Sequence, residues 1–197
     1  MDSSTRTQQG CITTARQNKS TPVLQIIGYK NSGKTALSCQ LIAALTAKGI
    51  RVGSAKHDAH GFELDDEGTD SSRHLGSGAV QTVLTSKTAT RMMRPSEVHL
   101  EEIAAMMQGT VDIIIAEGFK TAPFPKIALL RDQQDLESLH QQASNIKLFI
   151  SWQSSLCEEA YRTELDSYGY SDIPIIHIHN EESVLKQSMS LALSLLK

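Results

Sequence analysis

Long apolar runs are missing from this 197-residue chain. None approaches the ~18 residues that a membrane span needs, so a membrane protein is not expected. Charge of one sign is missing too: 19 basic residues stand against 22 acidic ones, a net of −3. A general nucleic-acid binder is usually basic, so no nucleic-acid partner is expected. Cysteine is scarce and scattered, with Cys11, Cys39 and Cys157 forming no CxxC pair and no even framework. That excludes a disulfide scaffold or cysteine-rich zinc module and favours a reducing cytoplasm. The first residues carry Arg6, Arg16 and Lys19 without an apolar stretch, so a secretory signal is not expected. Hydrophobic residues nevertheless make up 40% of the chain, which is enough to build a core.

Residues 1–21 are rich in Ser, Thr and Gln and show no apolar period, which reads as a disordered tail. Pro22 opens a single folded unit over 22–197. Short apolar segments then alternate with helical patterns. Val23–Gly28 reads as a buried strand and Thr35–Gly49 as a helix with Leu37, Leu41, Ile42 and Leu45 on one face. Ile50–Ala55 reads as a strand, Lys56–Gly68 as a polar loop, Thr69–Gly76 as a short helix and Ala79–Ser86 as a further strand. Ser96 can cap a helix carrying Val98, Ile103, Met106 and Met107, which Gly109 ends. Val111–Gly118, KIALL, IKLFIS and IPIIHI read as strands, and Glu181–Leu196 as the last helix. Strands of continuous apolar character separated by helices predict an α/β fold with a mainly parallel sheet flanked by helices.

The strongest chemical signal is Gly28-Tyr29-Lys30-Asn31-Ser32-Gly33-Lys34-Thr35, a full match to G-x-x-x-x-G-K-[ST]. Gly28 and Gly33 allow a path that most side chains forbid. Successive N–H groups then point inward as an anion nest, strengthened by the positive end of the following helix. Lys34 can reach β- and γ-phosphates and Thr35 can ligate Mg²⁺. The expected nucleotide-binding set is therefore Gly28 and Lys30, Asn31, Ser32, Gly33, Lys34, Thr35 and Ala36.

Three further groups of residues carry candidate chemistry. Glu117 ends the apolar strand DIIIAE, the Walker-B position, where a carboxylate holds Mg²⁺ or orients water. Asp112, at the other end, reads as a solvated strand-entry residue. His57, His60, Asp65, Asp66, Glu67 and Asp70 crowd one loop. Their spacing is poor for structural zinc. Either a switch-like loop positions a carboxylate near Mg²⁺ or attacking water, or the loop is an exposed acidic surface. The basic residues Lys87, Arg91, Arg94, Lys120 and Lys126 form the third group; Lys87, Arg91 and Arg94 read as a solvated strand and turn, whereas Lys120, directly after Glu117-Gly118-Phe119, is expected near phosphate or substrate. His177 and His179 alternate on one strand and read as strand-end polar residues.

In combination, GYKNSGKT, KHDAHGFELDDEGTDSSRHLGSGA, DIIIAEGFK and KIALLR resemble the MobB family of molybdopterin-guanine dinucleotide biosynthesis proteins. The resemblance runs from about Val23 to Arg131 and weakens thereafter. It implies a P-loop NTPase-like fold and a GTP-binding accessory protein with weak GTPase activity. Such a protein assists a MobA-type guanylyltransferase that moves GMP onto molybdopterin, and it forms a homodimer. Carried over by motif, Asn31 to Thr35 hold the GTP phosphates, and Thr35, Asp65 and Glu117 surround Mg²⁺. Glu117 and Asp65 are then the catalytic carboxylates. His57, Asp70 and Lys120 contact phosphate or substrate, and molybdopterin itself is a candidate partner. The chain departs from the family at Ala59, often a histidine there, and at Ser151-Trp152, where an acid often follows the serine. A small-molecule kinase and a non-hydrolysing nucleotide switch are the rival functions. The kinase is disfavoured because only Arg131 and Arg162 follow Thr110, too few for an arginine-rich lid.

Overall fold

The computed structural model describes residues 20–58 and 61–197. The tail assigned to 1–21 therefore lies outside the described residues except for Ser20 and Thr21, and Thr21 is already buried. Among the described residues eight strands form: β1 (Val23–Gly28), β2 (Val52–Lys56), β3 (Thr82–Thr85), β4 (Thr90–Met93), β5 (Ile113–Glu117), β6 (Lys126–Leu130), β7 (Ile146–Ser151) and β8 (Ile175–His177). Six α-helices accompany them: α1 (Lys34–Thr46), α2 (Asp70–Gly76), α3 (Leu100–Met107), α4 (Gln133–Gln142), α5 (Arg162–Ser167) and α6 (Glu181–Ser194).

Six of the strands make one sheet in the order β2-β5-β1-β6-β7-β8, and every pairing in it is parallel. The side-chain period of two sorts each strand between two cores. On one face Leu24, Ile26, Ile115 and Leu129 pack with Leu37, Leu41 and Leu45 of α1 and Val184, Met189 and Ala192 of α6. On the other, Ile27, Ala128 and Phe149 meet Leu136 and Leu139 of α4, and Ile114 and Ala116 meet Leu100 of α3. Burial on both faces explains why β1 and β5 read as unbroken apolar runs. The order puts β1 at the centre, so the loop after Gly28 opens at the carboxyl edge between β5 and β6, where α/β sheets bind ligands.

Several expectations need correction. The strand read over Ala79–Ser86 does not join the main sheet. Thr82–Thr85 pairs antiparallel with Thr90–Met93, a strand not foreseen, in a separate hairpin. Ser96 does not cap α3. His99 occupies that position and Val98 precedes the helix. His179 lies in a turn beyond β8, although its ring is still 5.2 Å from that of His177. Asp112 is not merely solvated, because it pairs with Arg51 at 2.6 Å. Among the described residues no helix is long and apolar enough to cross a membrane.

Lys126, grouped above with the basic residues, is turned into the interior. It is fully buried, and its ammonium donates to the carbonyls of Ala122 and Phe124 (2.9 Å for Phe124). Gln25, also buried, donates to the carbonyls of Gly118 (3.1 Å) and Phe119 (2.6 Å). Two buried polar side chains thus pin the backbone of the loop that follows β5. Burial pushes the Lys126 ammonium down to about 8 from the ordinary 10.5. The unfolded chain keeps that proton up to about 10.5, so between the two values it binds more protons than the folded chain, and stability contributed here rises with pH. Below about 8 both states are protonated and the effect is flat. We expect the stability of wild type relative to Lys126→Met to rise by about 2 kcal/mol between about pH 7.5 and about pH 10. Denaturant melts at both pH values check it. Tyr161, whose hydroxyl burial pushes up to about 12, acts in the opposite sense but is common to both proteins and cancels.

Candidate functional site

The β1–α1 loop owes its course to positive φ angles at Gly28 (151°), Asn31 (63°) and Gly33 (96°). A Cβ on Gly28 would stand 2.7 Å from the Ser32 hydroxyl and 2.8 Å from the Leu129 carbonyl oxygen, so the position admits only glycine. Gly33 precedes α1 without any side-chain cap, and the first turn of α1 carries no acidic residue. The free N–H groups and the positive helix end are left for an external anion. The Ser32 hydroxyl is buried without a hydrogen-bond partner. Lys34 folds back over the loop and donates to the Tyr29 carbonyl oxygen at 2.6 Å. Desolvation first, and then the charges of Lys120, Lys56 and Arg131, push the Lys34 ammonium below the ordinary lysine range against the pull of Glu117. This electropositive setting suits a polyanion.

Sheet register brings Glu117 to the loop. It lies opposite Ile26 of β1 and opposite Lys56 of β2. Its two carboxylate oxygens both accept from the Thr35 hydroxyl at 3.0 Å, and Lys56 Nζ stands 3.2 Å from Oε1. Beyond Glu117, Gly118 and Phe119 take positive φ angles of 88° and 54° and turn the chain over the cleft. A Cβ on Gly118 would come within 3.2 Å of His57 Cβ. Lys120 then lies over the Tyr29 ring, 3.6 Å from its centre, a cation–π contact. Arg131, paired with Asp135 at 2.7 Å, approaches the same ring at 5.5 Å. A cleft of about 950 Å³ runs from Gly28, Tyr29 and Lys34 past Glu117 and Lys120 to the wall formed by Glu97–Glu101.

Thr35, Lys34, Glu117 and Lys120 thus converge. His57 also lines the cleft, with its ring 5.3 Å from Phe119 and Nε2 3.6 Å from Glu97. Asp65 and Asp70 do not line it. Asp65 accepts from the hydroxyls of Thr69 (2.9 Å) and Ser71 and pairs with Arg91 at 3.3 Å. Those hydrogen bonds, Ser71 first, hold its carboxyl below the usual range. It ties the polar loop to the N-terminus of α2, where Thr69 is the cap, and to the β3–β4 hairpin. Asp70 is exposed and stands 3.8 Å from Arg73. His60 lies outside the described residues. One carboxylate beside one hydroxyl is a hard-oxygen pair, and it fits Mg²⁺ as that ion is held beside a nucleotide, with phosphates and waters completing the shell. Among the described residues no cluster of three or more His, Cys, Asp or Glu forms a cage of its own.

This site can be set beside known proteins. A profile described as MobB, molybdopterin guanine dinucleotide synthesis protein B, matches residues 23–152. The chain belongs to the MobB family. It is 29% identical over 166 residues to the probable molybdopterin-guanine dinucleotide biosynthesis adapter protein of Bacillus subtilis, spanning 83% of this chain and 89% of that one. With the adapter protein of Haemophilus influenzae the identity is 40% over 119 residues, 59% of this chain and 67% of the relative. The crystal structure of Bacillus subtilis MobB superimposes with a TM-score of 0.68 at 28% identity, covering 89% of this chain and 98% of that one. The P-loop NTPase-like, mainly parallel architecture is therefore that of MobB proteins.

Sequence reasoning missed Tyr29, Lys56, Gln25 and Trp152 as parts of this candidate site. Trp152, just beyond β7, donates its indole N–H to the Ser32 carbonyl oxygen at 2.9 Å and so touches the β1–α1 loop. Lys56 carried a signal of its own, a charge closing a strand that precedes the polar loop. Gln25 had one as well: an amide in the middle of an otherwise apolar buried strand needs a partner.

Proposed function

We propose that this chain is a GTP-binding accessory protein with weak, Mg²⁺-dependent GTPase activity. It assists a MobA-type guanylyltransferase in converting molybdopterin to its guanine dinucleotide form, in the cytoplasm. The observation that carries the reading is the pairing of Thr35 at the start of α1 with Glu117 at the end of β5, where the N-terminus of α1 has no side-chain cap. The loop holds the phosphates and Lys34 turns from Tyr29 to the β- and γ-phosphates. Glu117 orients water or the metal shell, and Lys120 closes the mouth of the cleft from the Tyr29 ring. Mg²⁺, when bound, supplies charge neutralisation between phosphate oxygens. The β3–β4 hairpin leaves Val83, Leu84 and Met92 half-exposed, an apolar surface that supports a homodimer.

A kinase reading has one observation in its favour: the cleft continues past Glu117 to the Glu97–Glu101 wall, leaving room for an acceptor. Nucleotide titrations test the main reading. GTP, ATP and their diphosphates are titrated with and without Mg²⁺ while the fluorescence of the single tryptophan, Trp152, is followed. Tight GTP binding with slow phosphate release supports it. No binding of any triphosphate overturns it, and rapid turnover only with an added acceptor favours the kinase. Thr35→Ala should bind GTP like wild type without metal, because the backbone nest is intact, but gain less from Mg²⁺. Equal gains in both proteins would remove Thr35 from the metal shell.

A further inference from the structure

No motif singles out Lys56, yet geometry places it at the centre of the site. It is the last residue of β2 and lies in register with Glu117, the last residue of β5. Side chains of residues opposed on neighbouring strands leave the sheet on the same side. The Lys56 ammonium therefore meets Glu117 Oε1 at 3.2 Å, while the Thr35 hydroxyl meets both oxygens of the same carboxylate. The two partners differ in freedom. The Glu117 side chain is 11% exposed, whereas that of Lys56 is 57% exposed on a flexible stem. The other nearby lysines have different partners, Lys34 on the Tyr29 carbonyl and Lys120 on the Tyr29 ring.

A nearly buried carboxylate without a counter-ion is costly. Lys56 removes that cost by occupying the oxygen that a divalent cation at Thr35 and Glu117 would use. Two cations on one oxygen repel each other, and Glu117, which holds that oxygen, is itself nearly buried. The ammonium must leave when the metal arrives, and a terminal phosphate is the nearest new anion that nucleotide binding brings.

We propose that Lys56 is a resident counter-ion that changes partner. It neutralises Glu117 in the nucleotide-free protein and passes to the terminal phosphate when a metal-bound nucleoside triphosphate enters. The inference rests on the nucleotide reading of the phosphate loop. It has two consequences. A divalent cation binds poorly unless nucleotide comes with it, because Lys56 holds its place. A triphosphate is preferred over a diphosphate, because only the triphosphate offers the displaced ammonium a new anion.

The test compares wild type, Lys56→Met and Lys56→Arg. GTP and GDP are titrated with Mg²⁺ by Trp152 fluorescence, and Mn²⁺ is titrated without nucleotide by electron paramagnetic resonance. In Lys56→Met the preference for GTP over GDP should shrink at least about tenfold, the loss of one charge-assisted contact. Mn²⁺ should bind Lys56→Met more tightly than wild type, and Lys56→Arg should keep most of the preference. An unchanged GTP-to-GDP ratio in Lys56→Met overturns the proposal whatever Mn²⁺ does, and leaves Lys56 a structural counter-ion. If wild type itself binds neither nucleotide, the phosphate-loop reading fails and takes this inference with it. Wild-type binding with an unchanged ratio in Lys56→Met sinks the inference alone.

Discussion

Lys34→Ala should weaken GTP binding by about 10- to 150-fold, the loss of a charge-assisted contact worth ~1.5–3 kcal/mol. The folded structure adds reasons to expect an effect on the ligand and not on the fold. Lys34 is the first residue of α1, and its ammonium donates to the Tyr29 carbonyl, a contact that water can replace at the mouth of a cleft. Its ammonium is pushed below the ordinary lysine range by desolvation and neighbouring cations, a strain that a polyphosphate relieves. Removing Lys34 therefore leaves the apo protein intact and takes the gain out of the complex. Equilibrium titration of both proteins with labelled GTP measures it, with melting curves as the control. Equal dissociation constants would contradict the assignment of the phosphate loop.

How much of this was legible in the sequence differs by element, for physical reasons. The phosphate loop was legible because its backbone path demands glycine at fixed places within eight consecutive residues, and Gly28 and Gly33 have the positive φ angles that demand implies. Glu117 was legible because an unbroken apolar strand sets where its terminal residue must stand, and β5 is buried throughout. Asp65 was not, because a polar loop has no period to tell which carboxylate points inward. In the structure its oxygens go to Thr69, Ser71 and Arg91. The hairpin was half legible: TVLT has strand character, but TRMM mixes polar and flexible residues that do not announce a strand. Helix α4 passed unnoticed because QQDLESLHQQ offers only Leu136 and Leu139 to the core among ten residues. Lys126 and Gln25 show the deepest limit. Their partners are backbone carbonyls of the loop after β5, and no side-chain pattern encodes a carbonyl.

Glu117→Gln should separate binding from chemistry. The carboxylate is the terminal residue of a fully buried strand, fixed between Ile26 of β1 and Lys56 of β2, so its position does not depend on a mobile loop. Glutamine keeps the length and retains one carbonyl oxygen to accept from the Thr35 hydroxyl, which now meets both carboxylate oxygens at 3.0 Å. The charge is what disappears. In the ground-state complex two effects of losing that charge oppose each other: the metal shell is weakened, but a like charge beside the triphosphate is removed, and N–H groups and Lys34 keep their grip. The carboxylate charge matters most as charge redistributes on the transferring phosphoryl group, when water and the metal shell must be held in place. We therefore expect hydrolysis, and any stimulation of guanylyl transfer that depends on it, to fall at least ~10-fold, equivalent to about 1.4 kcal/mol of barrier. GTP affinity should change far less. The substitution also frees Lys56 from its partner at 3.2 Å, so the nucleotide-free protein should lose its counter-ion pair without losing its fold, because the Lys56 side chain is already more than half exposed. Steady-state phosphate release measured beside equilibrium GTP binding decides the matter. If hydrolysis persists at the wild-type rate, Glu117 is only a strand-end carboxylate that neutralises Lys56. The carboxylates of the loop between Asp65 and Asp70 would then have to move toward the phosphates when nucleotide binds.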